Sequence, residues 1–223
     1  TIALLFSLVR KTPQAHSSMK SLKWERSKFQ GTELFGKTLG LIGMGNIGRL
    51  VAERAIGLRM KVIAHDPYIL KGTNLNMPVE LVDMDEVFKM SDVISVHTPL
   101  TSTTKNLISK GSIQMMKDGV FIINCARGGI VNEDDISEAI SSGKVGGLAL
   151  DVFNPEPPDF SSPVFKLDIV VITFSGCIIC IMLLPLLAVF LILKLQRAAH
   201  SRQKLELLLS HFLELQEVGL KVQ

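Results

Sequence analysis

Apolar residues fall in short uninterrupted runs at intervals along the chain. Leu39 to Ile42 is the first, and Val62–Ala64, Val93–Val96, Val120–Ile123, Leu148–Leu150 and Ile169–Ile172 repeat it. Runs of this length without polar alternation predict strands buried on both faces, the habit of parallel sheets. Between the runs the period changes. Ile47, Val51, Ala52 and Ala55 recur at helical spacing. Asp83 is placed to cap a helix running to Met90, a further helix is expected around Ser112 to Lys117, and Asn132 with Glu133 and Asp134 caps one that ends at Gly143. Upstream, Leu4, Leu5, Leu8 and Val9 form the apolar stripe of a helix over Thr1 to Met19, which Pro13 is expected to interrupt. Trp24, Glu25 and Arg26 lie in a connector, Gly31 and Gly36 mark turns, and Lys71 to Pro78 reads as a polar loop. Strands alternating with helices predict an α/β fold, a doubly wound parallel sheet with helices on both faces.

In such a sheet ligands bind at the carboxyl ends of the strands. Gly43, Asp66, His97, Asn124 and Asp151 all fall just past predicted strands, so they are expected along one edge. The first strand is followed by Gly43, Gly45 and Gly48, with the spacing G-x-G-x-x-G. Gly43 allows the tight turn, Gly45 leaves room for a pyrophosphate, and Gly48 lets helix and strand pack closely. The start of the helix, at Asn46 and Ile47, offers unpaired N–H groups to phosphate. Asp66 ends the second strand, where a carboxylate accepts ribose hydroxyls and repels a 2′-phosphate. Strand, glycines, helix, strand and acid in this order predict a Rossmann-type domain that binds NAD rather than NADP.

Composition narrows the field. Among 223 residues, 24 Lys and Arg stand against 21 Asp and Glu, a net charge of +3, which carries no nucleic-acid signature. Three cysteines make no disulfide framework, and a reducing, cytoplasmic setting is the default. No arrangement of ligating residues suggests a metal site. The chain starts with Thr, so a fragment or processed product is expected, and Ile2 to Val9 reads as helix rather than signal peptide.

The stretches GTELFGKTLGLIGMGNIG, HTPLT, NCARGGIVNE and ALDVFNPEPP together resemble the D-isomer-specific 2-hydroxyacid dehydrogenases, over about Leu4 to Thr173. The resemblance implies NAD-dependent oxidation of a D-2-hydroxyacid such as 3-phosphoglycerate. It implies a cofactor domain over 31–173, preceded by a crossover helix and connector over 1–30 and lacking the first part of the substrate domain. Arg127 corresponds to the arginine that holds the substrate carboxylate, and its planar fork suits that task. Glu156 corresponds to the glutamate that orients a catalytic histidine. Asp151 matches the residue that binds the nicotinamide carboxamide. His97, Thr98 and Pro99 match the loop beneath the cofactor, and Cys125 and Ala126 line it, Cys125 as a small packing residue rather than a nucleophile. Relatives pair through the cofactor domain, so a homodimer involving Trp24 is expected.

The chain departs from that pattern at Thr173-Phe174-Ser175-Gly176-Cys177, where the family carries a motif resembling P-H-x-G-A. Phe174 stands in the place of the histidine and cannot carry a proton. The tail, 174–223, does not resemble the family. Its run 176–193 has no charge and is close to the length of about 20 residues that spans a bilayer. Two readings follow. A membrane helix with Lys194, Arg197, Arg202 and Lys204 on the cytoplasmic side leaves the NAD domain on the far side, away from the cytosolic pool. A replaced C-terminus, through a frameshift or an unrelated exon, avoids that conflict. Cys177 and Cys180 lack a second ligand pair, and Leu205, Leu208, Leu209 and Phe212 suggest an amphipathic final helix. Three functions stay open: a dehydrogenase domain, a non-catalytic NAD-sensing module of the kind the C-terminal binding protein co-repressors represent, and a membrane-anchored remnant.

Overall fold

A computed structural model of the chain describes residues 1–173. Seven strands make one sheet: β1 (Thr38–Ile42), β2 (Lys61–His65), β3 (Val79–Leu81), β4 (Val93–Val96), β5 (Val120–Asn124), β6 (Val145–Leu150) and β7 (Val170–Ile172). Their order is β3-β2-β1-β4-β5-β6-β7, and every pairing is parallel. The chain winds outward from β1 in one direction and from β4 in the other. The crevice between these two strands is therefore the topological switch point, where open α/β sheets place their ligands.

Among the described residues six α-helices accompany the sheet: α1 (Ile2–Val9), α2 (Thr12–Lys20), α3 (Asn46–Gly57), α4 (Met84–Met90), α5 (Lys110–Met115) and α6 (Glu133–Ser141). Alternate residues of each strand feed two cores. Leu39, Leu41, Val62 and Ala149 meet Leu4, Leu5 and Leu8 of α1 and Val51, Ala52 and Ala55 of α3. On the other face Ile42, Ile94, Ile122 and Leu148 meet Val87 and Phe88 of α4, Ile113 of α5 and Ile136 and Ile140 of α6. The doubly wound Rossmann arrangement expected from the apolar runs is the one observed.

Caps fix the helix starts. Asp83 and Glu86 form a reciprocal capping box on α4. The Asn132 side chain accepts the Asp135 N–H at 3.0 Å on α6, and three acids in that first turn complement the helix dipole.

Several boundaries differ from the sequence expectation. The N-terminal helix breaks at Arg10 and Lys11, where Lys11 takes a left-handed conformation, and Pro13 lies in the first turn of α2. Proline is tolerated there because the first N–H groups of a helix have no partner to lose. The helix expected around Ser112 to Lys117 runs from Lys110 to Met115, since Ser109 and Ser112 form its capping box. Strand β6 begins at Val145, three residues earlier than its apolar run. Strand β3 was not expected at all. Ile47 does not join the apolar face of α3, being 52% exposed at the helix start.

Among the described residues no helix is long and apolar enough to cross a membrane. Phe174, the apolar run 176–193, Cys177, Cys180 and the expected final helix lie outside the described residues.

Candidate functional site

The register of the sheet draws a level line across its carboxyl edge. Ile42 is opposite His65 and Val96, Val96 opposite Asn124, Asn124 opposite Leu150, and Leu150 opposite Ile172. The next residue of each strand is thus Gly43, Asp66, His97, Cys125, Asp151 and Thr173. Backbone bonds extend the ladder one step into this row. Gly43 N–H donates to the His65 carbonyl, His97 to Ile42, Asp151 to Asn124 and Thr173 to Leu150, at 2.8 to 3.1 Å. Six strand ends are brought into one line although their sequence positions span most of the chain.

The glycines each have a distinct surrounding. Gly43 turns with φ +102°, and a Cβ there would sit 2.6 Å from the His97 carbonyl oxygen across the switch point. At Gly48 a Cβ would collide with the Gly43 carbonyl, so this glycine lets α3 lie against the turn. At Gly45 a Cβ would meet nothing within 4 Å. The open approach expected for a pyrophosphate is therefore there, and the N–H groups of Gly45, Asn46 and Ile47 find no acceptor among the described residues. Unpartnered N–H groups at the start of a 12-residue helix make an anion cradle.

Asp66 closes the cradle on one side. Its Oδ2 accepts the Met44 N–H at 2.8 Å, and its Oδ1 accepts the Tyr68 N–H at 2.9 Å. A carboxylate has about four acceptor positions, so two remain for ligand hydroxyls. Residues of the cradle and Asp66 fit the adenosine and diphosphate portions of a dinucleotide.

On the far side of the switch point, His97 Nε2 lies 2.9 Å from the hydroxyl of buried Ser95. Burial is the main cause that holds its pKa down at about 4, with a smaller push from the terminal ammonium of Thr1. The imidazole is thus neutral at pH 7. Beside it the buried Thr98 hydroxyl has no hydrogen-bond partner among the described residues, and Pro99 follows, exposed.

Asn124 is 1% exposed and staples the loop after β5. Its amide donates to the Arg127 carbonyl at 2.9 Å and accepts the Ala126 N–H at 3.0 Å. The loop turns so that Cys125 and Ala126 are half-buried while Arg127 is exposed. The Arg127 Nη1 donates to the Ala126 carbonyl at 2.6 Å, which leaves most of its fork open. Gly128 lies against the backbone of Phe153 and Asn154, so this loop abuts the one that carries Glu156. The Glu156 Oε1 accepts the Phe153 N–H at 3.0 Å, folded back on its own loop. Asp151 accepts from the Thr173 hydroxyl at 2.5 Å.

The structure brings Gly43, Gly45, Asn46, Ile47, Gly48, Asp66, His97, Thr98, Pro99, Cys125, Ala126, Arg127 and Asp151 to this edge or the loops rising from it, with Glu156 on the neighbouring loop. The partner that Glu156 is expected to orient, at position 174, is outside the described residues. Sequence reasoning gave no role to Ser95, Thr173 or Arg49. The Thr173 bond joins β7 to the end of β6, 22 residues away, while those of Ser95 and Arg49 reach only two and five residues along the chain and follow from no hydrophobic pattern or motif spacing. Among the described residues no group of three His, Cys, Asp or Glu side chains is arranged to hold a metal.

The NAD binding domain of D-isomer specific 2-hydroxyacid dehydrogenases matches residues 2–174 as a family. The D-3-phosphoglycerate dehydrogenase of Archaeoglobus fulgidus is 51% identical over 172 residues, 77% of this chain and 33% of that protein. The hydroxypyruvate reductase of Thermotoga maritima is 47% identical over 174 residues, 77% of this chain and 56% of that one. The crystal structure of the NAD-dependent formate dehydrogenase from Staphylococcus aureus in complex with NAD superposes with a TM-score of 0.73 at 32% identity, covering 78% of this chain and 52% of that one. The chain thus spans about a third of the length of the first of these relatives.

Proposed function

The chain belongs to the D-isomer specific 2-hydroxyacid dehydrogenase family, and from that premise we propose that it is the cofactor half of an NAD-dependent oxidoreductase acting on a D-2-hydroxyacid. Similarity to D-3-phosphoglycerate dehydrogenases at 51% identity makes 3-phosphoglycerate the first substrate to test. The observation that carries the reading is the cradle, in which open Gly45 and carboxylate-bearing Asp66 are joined through Met44.

In this reading the N–H groups of Gly45, Asn46 and Ile47 hold the diphosphate, and Asp66 holds the adenosine ribose. Asp151 takes the nicotinamide carboxamide, with its carboxylate steadied by Thr173. His97, Thr98, Pro99, Cys125 and Ala126 wall the site. NAD, when bound, supplies a hydride acceptor. Arg127 holds the substrate carboxylate in its fork, and the buried Asn124 amide fixes the loop that presents it. Glu156 is assigned to hold a proton-transferring imidazole. Phe174 in that place carries no proton, and this favours a second reading in which the chain binds NAD and signals or scaffolds without turnover. Both readings put the chain beside a cytoplasmic NAD pool. In both it pairs with a second copy through the cofactor domain and the connector before it, where Trp24 is 78% exposed.

Calorimetry with NAD(H) and NADP(H) tests the cofactor assignment. The unmodified chain is expected to bind NAD(H) more tightly, and Asp66→Ala to weaken NAD(H) more than NADP(H). Equal affinity for the two cofactors in the unmodified chain refutes the role given to Asp66.

A further inference from the structure

The cradle is held from both sides of one residue by side chains of opposite charge. Asp66 Oδ2 accepts the Met44 N–H at 2.8 Å. On the other side Arg49, in the first turns of α3, donates from Nε to the Met44 carbonyl at 3.1 Å, while its own backbone N–H donates to the Gly45 carbonyl at 3.0 Å. The Met44 carbonyl and the Gly45 N–H belong to one peptide unit. That unit is planar and trans, so its carbonyl and N–H point in opposite directions. Holding the carbonyl toward Arg49 therefore aims the Gly45 N–H away from it. This N–H has no acceptor among the described residues, and Gly45 borders open space.

We propose that Arg49 is a positioning residue for the diphosphate: through the Met44 carbonyl it locks the plane of the Met44–Gly45 peptide and so fixes the direction of the Gly45 N–H donor. Asp66 fixes the preceding peptide in the same way, through the Met44 N–H. Two consecutive peptide planes are thus set by groups outside the loop. The loop offers its donor already oriented, and the diphosphate does not have to order it on arrival. The position is marked in the sequence only as the residue after the third glycine. This inference rests on the NAD-binding reading of the cradle.

The test compares Arg49→Met, which removes bond and charge, with Arg49→Gln, which removes the charge but retains an N–H within reach of the carbonyl. Full-length chains are titrated with NAD, ADP and adenosine. One such hydrogen bond corresponds to roughly a three- to tenfold change in affinity. Arg49→Met is expected to weaken NAD and ADP by about that factor and to leave adenosine, which has no phosphate, unchanged. Arg49→Gln is expected to recover most of the loss. Equal loss in both variants means that charge, not peptide orientation, is what Arg49 supplies, and overturns the proposal. So does unchanged ADP affinity in Arg49→Met. If Arg49→Met also loses adenosine through misfolding, the Gln variant alone decides: near-native ADP affinity supports the clamp, and loss of ADP with adenosine retained rejects it. An unmodified chain that binds neither NAD nor ADP refutes the cofactor reading itself, a result distinct from all of these.

Discussion

At the scale of single residues, the three glycines of the loop separate folding from binding. A methyl at Gly48 collides with the Gly43 carbonyl, and the backbone on both sides is tied down. Gly48→Ala is expected to destabilise the chain by about 1–3 kcal/mol or more. A methyl at Gly45 meets no protein atom, and its φ of −67° suits any residue. Gly45→Ala is expected to leave the denaturation midpoint nearly unchanged while weakening NAD. Denaturant melts of both variants beside NAD titrations check the pair, and an equal stability loss in the two contradicts the assignment. His97 gives a second prediction. Its folded pKa is near 4, below the ordinary value of 6.5. Below pH 6.5 the unfolded chain takes up a proton that the folded chain refuses, so its contribution to stability is present above that pH and declines as pH falls toward 4. The whole effect is on the order of 3 kcal/mol. Stability measured against pH is expected to fall less steeply between these limits in His97→Gln than in the unmodified chain. These features differ in how far the sequence announces them. The glycines and Asp66 sit at fixed offsets that a reader can match to a phosphate site. Arg49 and Ser95 each act through one side-chain hydrogen bond and Asn124 through two, and an exposed arginine or a buried serine has no offset to match.

At the scale of elements, β1, β2, β4 and β5 were legible because both faces are covered, which leaves an unbroken apolar run. Strand β3 is an edge strand of three residues, Val79–Leu81, with Glu80 exposed. Among the described residues no strand pairs with its outer side, so no run forms and it passes for loop. The start of β6 hid for another reason. Gly146 and Gly147 lie against the Gly119 carbonyl and the Leu8 side chain respectively. Close packing there demands the absence of a side chain, and glycines read as a turn. The N-terminal break lies before Pro13 rather than at it, because this proline starts α2 instead of interrupting a helix. A left-handed Lys11 ends α1, and no composition rule marks it. Helix caps fared better: Asp83 and Asn132 cap α4 and α6 as expected.

At the scale of the whole molecule, a cradle that suits a cofactor diphosphate and the arginine proposed to hold a substrate carboxylate are present together, but Phe174 stands at the position assigned to the proton-transferring histidine. Loss of a general acid or base costs about 10²- to 10⁴-fold in rate, and holding one end of a substrate does not lower the chemical barrier. The chain is expected to turn over little 3-phosphoglycerate or other D-2-hydroxyacid, followed by NADH fluorescence. Phe174→His alone is expected to recover little, because this chain covers only 33% of a relative that carries the activity. Turnover of order 1 s⁻¹ or faster from the unmodified chain requires a different proton carrier, and His97 is the first to examine. The architecture also has a temporal side. Strands β1 and β2 are joined by α3 alone, so their half of the sheet closes through short loops. Helix α1 stands at the start of the described chain, yet Leu8 is seated on Gly147 in β6, and Leu4 and Leu5 share their core with Val171 of β7. Closing so long a loop takes entropy that short loops do not, and non-local pairing slows folding. During synthesis the greasy stripe of α1 precedes β6 and β7 and waits, uncovered, until those strands leave the ribosome. In that interval the stripe is open to chaperone capture and to aggregation.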